Sequence, residues 1–287
     1  MNDLARYPAQ EPLSPLGTAY AQRVLARGAG LAGVEVDLGG DPYRKLTVFP
    51  AAQPSGDTLV FLHGGGWTSG YKEWMFFMAP ALQAQGVTFV SAGYRLAPQH
   101  VFPTGFDDAA DAVAWVVQHI GDHGGDPRRV FVGGHSAGGH LAALLGVTAA
   151  WRGARGLGAR PLAGCLPVSG TYRFGEGSGL SMRPRFLGPD DGGQAERRAG
   201  PLAQLEPAAC PPFLVSWGGR DFAHLARQSE EMVAALRAAG VGAETCVLDG
   251  CDHFEASLAC GDEPWAARAA SWMRQQGATR SSTGDLR

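Results

Sequence analysis

The strongest constraint on what this 287-residue chain can fold into is the pentapeptide Gly134-His135-Ser136-Ala137-Gly138. An apolar run, Val130–Val132, leads into it, and the helix-like stretch Gly139–Val147 leads out. A strand that turns abruptly into a helix around a central serine forces that residue into a strained conformation. The small residues on either side let neighbouring segments approach. The helix N-terminus behind the turn offers backbone N–H groups to an anion. Glycine-rich chains contain such pentapeptides by chance, and this one has 42 glycines. What gives the motif meaning is the strand before it and the helix after it.

A second glycine cluster, His63-Gly64-Gly65-Gly66-Trp67, ends the apolar run Thr58–Leu62. Glycines placed directly after a buried strand leave backbone amides free to face a carbonyl oxygen, as an oxyanion hole requires. Gly65, Gly66 and Ala137 are the expected donors. A phosphate-binding loop is excluded, because no Gly-Lys-Ser/Thr follows.

The rest of the chain alternates. Strands are expected at Val34–Leu38, Arg44–Phe49, Thr58–Leu62, Val87–Ala92, Arg129–Val132, Leu162–Val168, Phe213–Trp217 and Ala243–Leu248. Helices are expected after Ser14-Pro15, over Tyr71–Gln85, Asp107–Gln118, Ser136–Val147 and Ala223–Ala239, and near Glu263–Gln275. This order predicts an α/β protein with a mostly parallel sheet covered by helices on both faces, the first two strands lying near an edge. Its length fits a single domain, 1–287. Three parts stand outside the rhythm: an N-terminal arm and helix over residues 1–30, an irregular Gly-, Pro- and Arg-rich insertion at about 171–209 expected to cap the site, and a loose polar tail over 277–287.

A serine hydroxyl needs a base, and the base needs an orienting carboxylate. In strand–turn–serine folds of this kind the chain order is serine, acid, histidine. Only His224 and His253 follow Ser136, and His224 falls at the start of a helix. His253 lies in a loop after the last strand and is the expected base. Asp221, in Gly218-Gly219-Arg220-Asp221 after the strand Phe213–Trp217, is the expected acid; Asp249 and Asp252 compete from the same loop as His253. His119 and His123 stand at i, i+4 spacing, but Gly121 and Gly124-Gly125 mark a fraying helix end, and no metal site is expected.

The set HGGGW, GYRLAP with Phe102-Pro103, GHSAGGHLA, GGRD and DHF, in that order over about residues 55 to 260, resembles two related α/β-hydrolase families. One is the hormone-sensitive-lipase-like esterases, the other the arylformamidases (kynurenine formamidases). The resemblance implies the α/β-hydrolase fold, a Ser136–His253–Asp221 triad, no cofactor, and cleavage of a small ester or aryl-formamide through an acyl-enzyme. His135 where the esterases usually carry Asp, the short segment before His63, and Arg227-Gln228-Ser229 tilt the reading towards the formamidases; Gly66 tilts it towards the esterases. A non-catalytic binder on the same fold is the distant alternative, disfavoured because all three triad residues are present. Trp67, Tyr172, Phe174, Phe186 and Phe254 are candidates to line an aryl-binding pocket.

Composition narrows the partners. A net charge of −3 with only two lysines, Lys45 and Lys72, gives no electrostatic footprint for nucleic acid. No secretory signal and no membrane span are visible, and five cysteines, an odd number without zinc-ligand spacing, fit reduced thiols in a cytoplasmic enzyme. The expected partner is a small acyl substrate, with an aromatic group compatible and a homodimer an open option.

Overall fold

The computed structural model describes residues 4–179 and 181–282. Eight strands form one sheet in the order β1-β2-β4-β3-β5-β6-β7-β8. They are β1 (Val34–Asp37), β2 (Lys45–Phe49), β3 (Gly56–Leu62), β4 (Thr88–Ala92), β5 (Gly125–His135), β6 (Gly164–Val168), β7 (Phe213–Gly218) and β8 (Ala243–Leu248). β1 and β2 run antiparallel at one edge, and the strands from β4 to β8 are parallel. The chain steps one way from β3 to β4, then crosses back past β3 to form β5 on its other side. The resulting crevice at the carboxyl ends of β3 and β5 is where ligands sit in such sheets.

The helices are α1 (Pro15–Arg27), α2 (Ala79–Ala84), α3 (Thr104–His119), α4 (Ala137–Val147), α5 (Ala150–Gly153), α6 (Gln194–Ala199), α7 (Ala223–Ala238), α8 (His253–Ala259) and α9 (Glu263–Ser282). α1 starts where the sequence says it should: Ser14 Oγ accepts the Gly17 N–H at 3.1 Å, and Pro15 occupies the first turn, where its missing N–H costs nothing.

Strand side chains alternate between two cores, one on each face. Val60, Leu62, Val130 and Val132 pack with α3 and α4, whereas Leu59, Phe61 and Phe131 pack with α1, α2 and α9. Burial on both faces is why these strands read as continuous apolar runs.

Three expectations need correction. The single helix over Tyr71–Gln85 is a 3-10 turn, Lys72–Met78, followed by the short α2. The tail expected to be loose from Gly277 is helical as far as Ser282, and residues 283–287 lie outside the described residues. A mid-helix glycine costs about 1 kcal/mol. Here it is buried, and a Cβ would stand 2.7 Å from Arg129 Nε, so close packing accounts for the residue. Finally α8, absent from the sequence reading, begins at His253 itself.

Candidate active site

The elbow is built by close approach. A Cβ on Gly134 would lie 2.4 Å from the carbonyl carbon of Gly138, and one on Gly138 would lie 2.1 Å from the carbonyl oxygen of Leu62. Only hydrogen fits at either position. Between them Ser136 is held at φ 55°, ψ −115°, a conformation that side chains larger than glycine's rarely adopt. Its N–H donates to the Val168 carbonyl at 2.9 Å, tying the turn to the end of β6.

Three strand ends then converge. Ser136 follows β5, Asp221 follows β7 and His253 follows β8. His253 Nε2 stands 2.9 Å from Ser136 Oγ, and His253 Nδ1 stands 2.8 Å from Asp221 Oδ1. Burial alone would raise the Asp221 carboxyl. The hydrogen bond and charge of His253, with further bonds from Ser169 Oγ and the Phe222 N–H, outweigh it and hold the group down to about 2. Asp252, the rival acid, is committed elsewhere: its carboxylate accepts the Phe254 and Glu255 N–H groups and caps α8, while Glu255 returns a bond to the Asp252 N–H.

The HGGG turn faces the same place. Gly65 sits at φ 118°, and a Cβ there would fall 2.0 Å from the Ser69 carbonyl oxygen. Its own carbonyl is drawn back by Thr68 N–H, Ser69 N–H and Ser69 Oγ–H, at 3.2, 3.0 and 3.1 Å. Gly65 and Gly66 line one cavity with Ser136 and His253, and among the described residues the amides of Gly65, Gly66 and Ala137 have no hydrogen-bond acceptor. Unengaged donors beside a nucleophile's oxygen are what an oxyanion hole consists of.

That cavity, about 190 Å³, is walled by Leu13, Ser14, Gly17, Tyr20, Trp74, His135, Phe222 and Phe254. Of the five aromatic side chains expected there, only Phe254 takes part. Trp67, Tyr172, Phe174 and Phe186 belong to the buried core. Trp67 stacks on Phe186 at 4.4 Å, flanks Phe174 at 5.6 Å and donates its Nε1–H to His140 Nδ1 at 3.0 Å. Tyr172 is fully buried. These rings fasten the 171–209 insertion to the HGGG turn and α4, and no described residue of the insertion lines the cavity. The start of the chain supplies the cover instead.

Sequence reasoning passed over Ser169, whose Oγ–H donates to Asp221 Oδ2. The available signal was its place directly after β6, at the same sheet edge as the other three loops. Leu13, Tyr20, Trp74 and Phe222 carried no signal, since apolar residues near loops are common. Among the described residues no group of three or more metal-ligating side chains gathers, all five cysteines are unpaired, and no helix is long and apolar enough to cross a membrane.

A doubly covered, mostly parallel sheet with a serine elbow, an acid and a histidine at the carboxyl ends of β5, β7 and β8 defines a class of protein. The chain belongs to the α/β-hydrolase family: a family model described as alpha/beta hydrolase fold matches residues 59–256. Over 254 residues the chain is 30% identical to esterase LipC of Mycobacterium tuberculosis, covering 83% of this chain and 62% of that protein. A shorter stretch of 98 residues is 40% identical to carboxylesterase NlhH of the same organism, covering 33% and 30%. A bacterial heroin esterase of known structure matches with a TM-score of 0.73 at 25% identity, over 95% of each chain. The chain thus spans under two thirds of the length of these curated relatives.

Proposed function

We propose that this protein is a serine carboxylesterase acting on small esters, with Ser136, His253 and Asp221 as its triad and Gly65, Gly66 and Ala137 as its oxyanion donors. The observation that carries the reading is the hydrogen-bonded series from Ser136 Oγ through His253 to Asp221, opening into the cavity edged by Gly65 and Gly66. Ser136 Oγ forms a bond to the acyl carbon while its proton passes to His253 Nε2. The carbonyl oxygen takes up the electron pair and the three amides hold it. As the intermediate collapses, the bond to the alcohol oxygen breaks and His253 returns the proton to that oxygen. Water then repeats the sequence and frees the acid.

The lean towards an arylformamidase gains no support from the relatives, whose names are those of esterases. The residues that suggested it have structural duties. Gln228 Oε1 accepts the Tyr172 and Arg173 N–H groups at 2.7 and 2.8 Å, and its Nε2 donates to the Ser178 carbonyl. Ser229 Oγ bonds the Leu225 carbonyl, and Arg227 bonds Gly177. None of the three lines the cavity.

Rates on short p-nitrophenyl esters and on N-formylkynurenine test the proposal, with wild type and Ser136→Ala side by side. The esters should turn over faster by orders of magnitude, and Ser136→Ala should lose both turnover and labelling by a fluorophosphonate. Turnover retained in Ser136→Ala would overturn the assignment.

A further inference from the structure

Resting on that reading, we propose that His135 is a positioning residue, which braces the base His253 directly against the nucleophile's own turn. Nε2 of His135 lies 2.9 Å from the main-chain carbonyl oxygen of His253. A carbonyl can only accept, so Nε2 carries the proton and donates it. The two imidazole rings lie 4.7 Å apart, tilted by 42°.

The value of the brace follows from topology. Ser136 leaves β5 and His253 follows β8, and two further strands, β6 and β7, separate these in the sheet. Through the sheet, the distance between hydroxyl and base is set by three successive strand pairings, each able to shift slightly. His135 bypasses that route, because it adjoins Ser136 in the chain and holds the residue whose ring must meet Ser136 Oγ. His253 is then fixed at three points: Nδ1 by Asp221, Nε2 by Ser136, and its carbonyl by His135.

The residue also borders the cavity beside Ser136 and His253, so the split between kcat and KM separates bracing from substrate contact. His135 is 2% exposed, and Nδ1 has no partner among the described residues. Burial, with the nearby His253, pushes its imidazole down to about 3, so it stays neutral and does not compete as a second base. An aspartate at this position presents only acceptors to the same carbonyl when ionised.

The test compares His135→Leu, which keeps bulk without a donor, with His135→Gln, whose amide N–H reaches towards the position of Nε2. Misplacing a reacting group by about 1 Å costs on the order of 100-fold. His135→Leu should lower kcat on p-nitrophenyl butyrate by about 10- to 100-fold with KM changed by less than about threefold, and His135→Gln should recover most of the loss. A second readout needs no turnover: the downfield proton NMR signal of His253 Nδ1–H, sharp in wild type, should broaden or vanish in His135→Leu and return in His135→Gln. Retention by His135→Leu of both the kcat and the sharp signal would overturn the brace. A wild type that shows the signal but hydrolyses no ester would overturn the esterase reading alone, leaving the NMR comparison to decide the role of His135.

Discussion

His253 Nε2 lies 2.9 Å from Ser136 Oγ although 117 positions separate the two residues in the chain. Contact at this distance requires that β5 and β8 end at the same level of the sheet and that both turns lean inward. The parallel registers linking β5 to β6, β6 to β7 and β7 to β8 supply the first condition. Ser136's positive φ and the capped start of α8 supply the second.

Asp221→Asn should leave the fold intact and lower kcat by about 10⁴-fold, because an amide at this position favours the wrong tautomer of His253. Ser169→Ala removes one of several bonds to the same carboxylate. Its loss should be far smaller, about 10- to 100-fold, since a hydrogen bond to a charged group is worth about 1.5–3 kcal/mol and others remain. Steady-state kinetics on one short ester separates the two. Equal losses would contradict the ranking.

Gly65→Ala confronts both a φ of 118° and a Cβ placed 2.0 Å from the Ser69 carbonyl oxygen. The turn must move, taking its amide out of line. We expect kcat to fall by about 10²–10³-fold, the usual consequence of losing one oxyanion donor, with fluorophosphonate labelling slowed in parallel. Unchanged labelling kinetics would remove Gly65 from the oxyanion hole.

Phe222 is 48% exposed, yet it borders the cavity and its ring lies 4.8 Å from that of His253. Phe222→Ala should widen the cavity with little effect on stability, since surface truncations usually stay within about 0.5 kcal/mol. Acyl-chain preference should move to longer esters, read as the ratio of kcat/KM for octanoate over acetate. A fixed ratio would mean that this wall does not touch the acyl group.

Acid should destabilise this protein well above the carboxylate range. His63, His140 and His135 are buried, and burial holds their imidazoles down to about 4, about 4 and about 3, against an ordinary 6.5. Between those limits the unfolded chain binds protons that the folded chain refuses, so stability falls as pH drops below 6.5, and the loss from each group is complete only below its folded value. Each group contributes a slope of up to about 1.4 kcal/mol per pH unit. Urea unfolding at intervals from pH 7 to pH 4.5 should show this slope, reduced by one proton in His140→Gln. A flat profile would count against neutral burial.

Much of this was legible one residue after another. The elbow, the HGGG turn, the strand–helix alternation and the order serine, acid, histidine are all local patterns, and each sits where its local physics requires. Asp252 with Glu255 was also readable, as an N-terminal capping pair three residues apart, and would have revealed α8 and withdrawn Asp252 as an acid. The aromatic side chains misled. Trp67 follows the HGGG turn and Phe174 and Phe186 belong to the insertion, but they pack against one another in the core, and nothing in spacing along a loop tells which way a ring faces.

By itself the sequence determined most of the elements, their order and the loops that carry Ser136, Asp221 and His253, because backbone periodicity and turn geometry act over a few residues at a time. The tertiary structure alone decided the walls of the cavity, the support Ser169 gives Asp221, and the reach of His135 to His253. Those depend on contacts between segments far apart in the chain, chosen by how side chains fill space once the sheet has closed around its two cores.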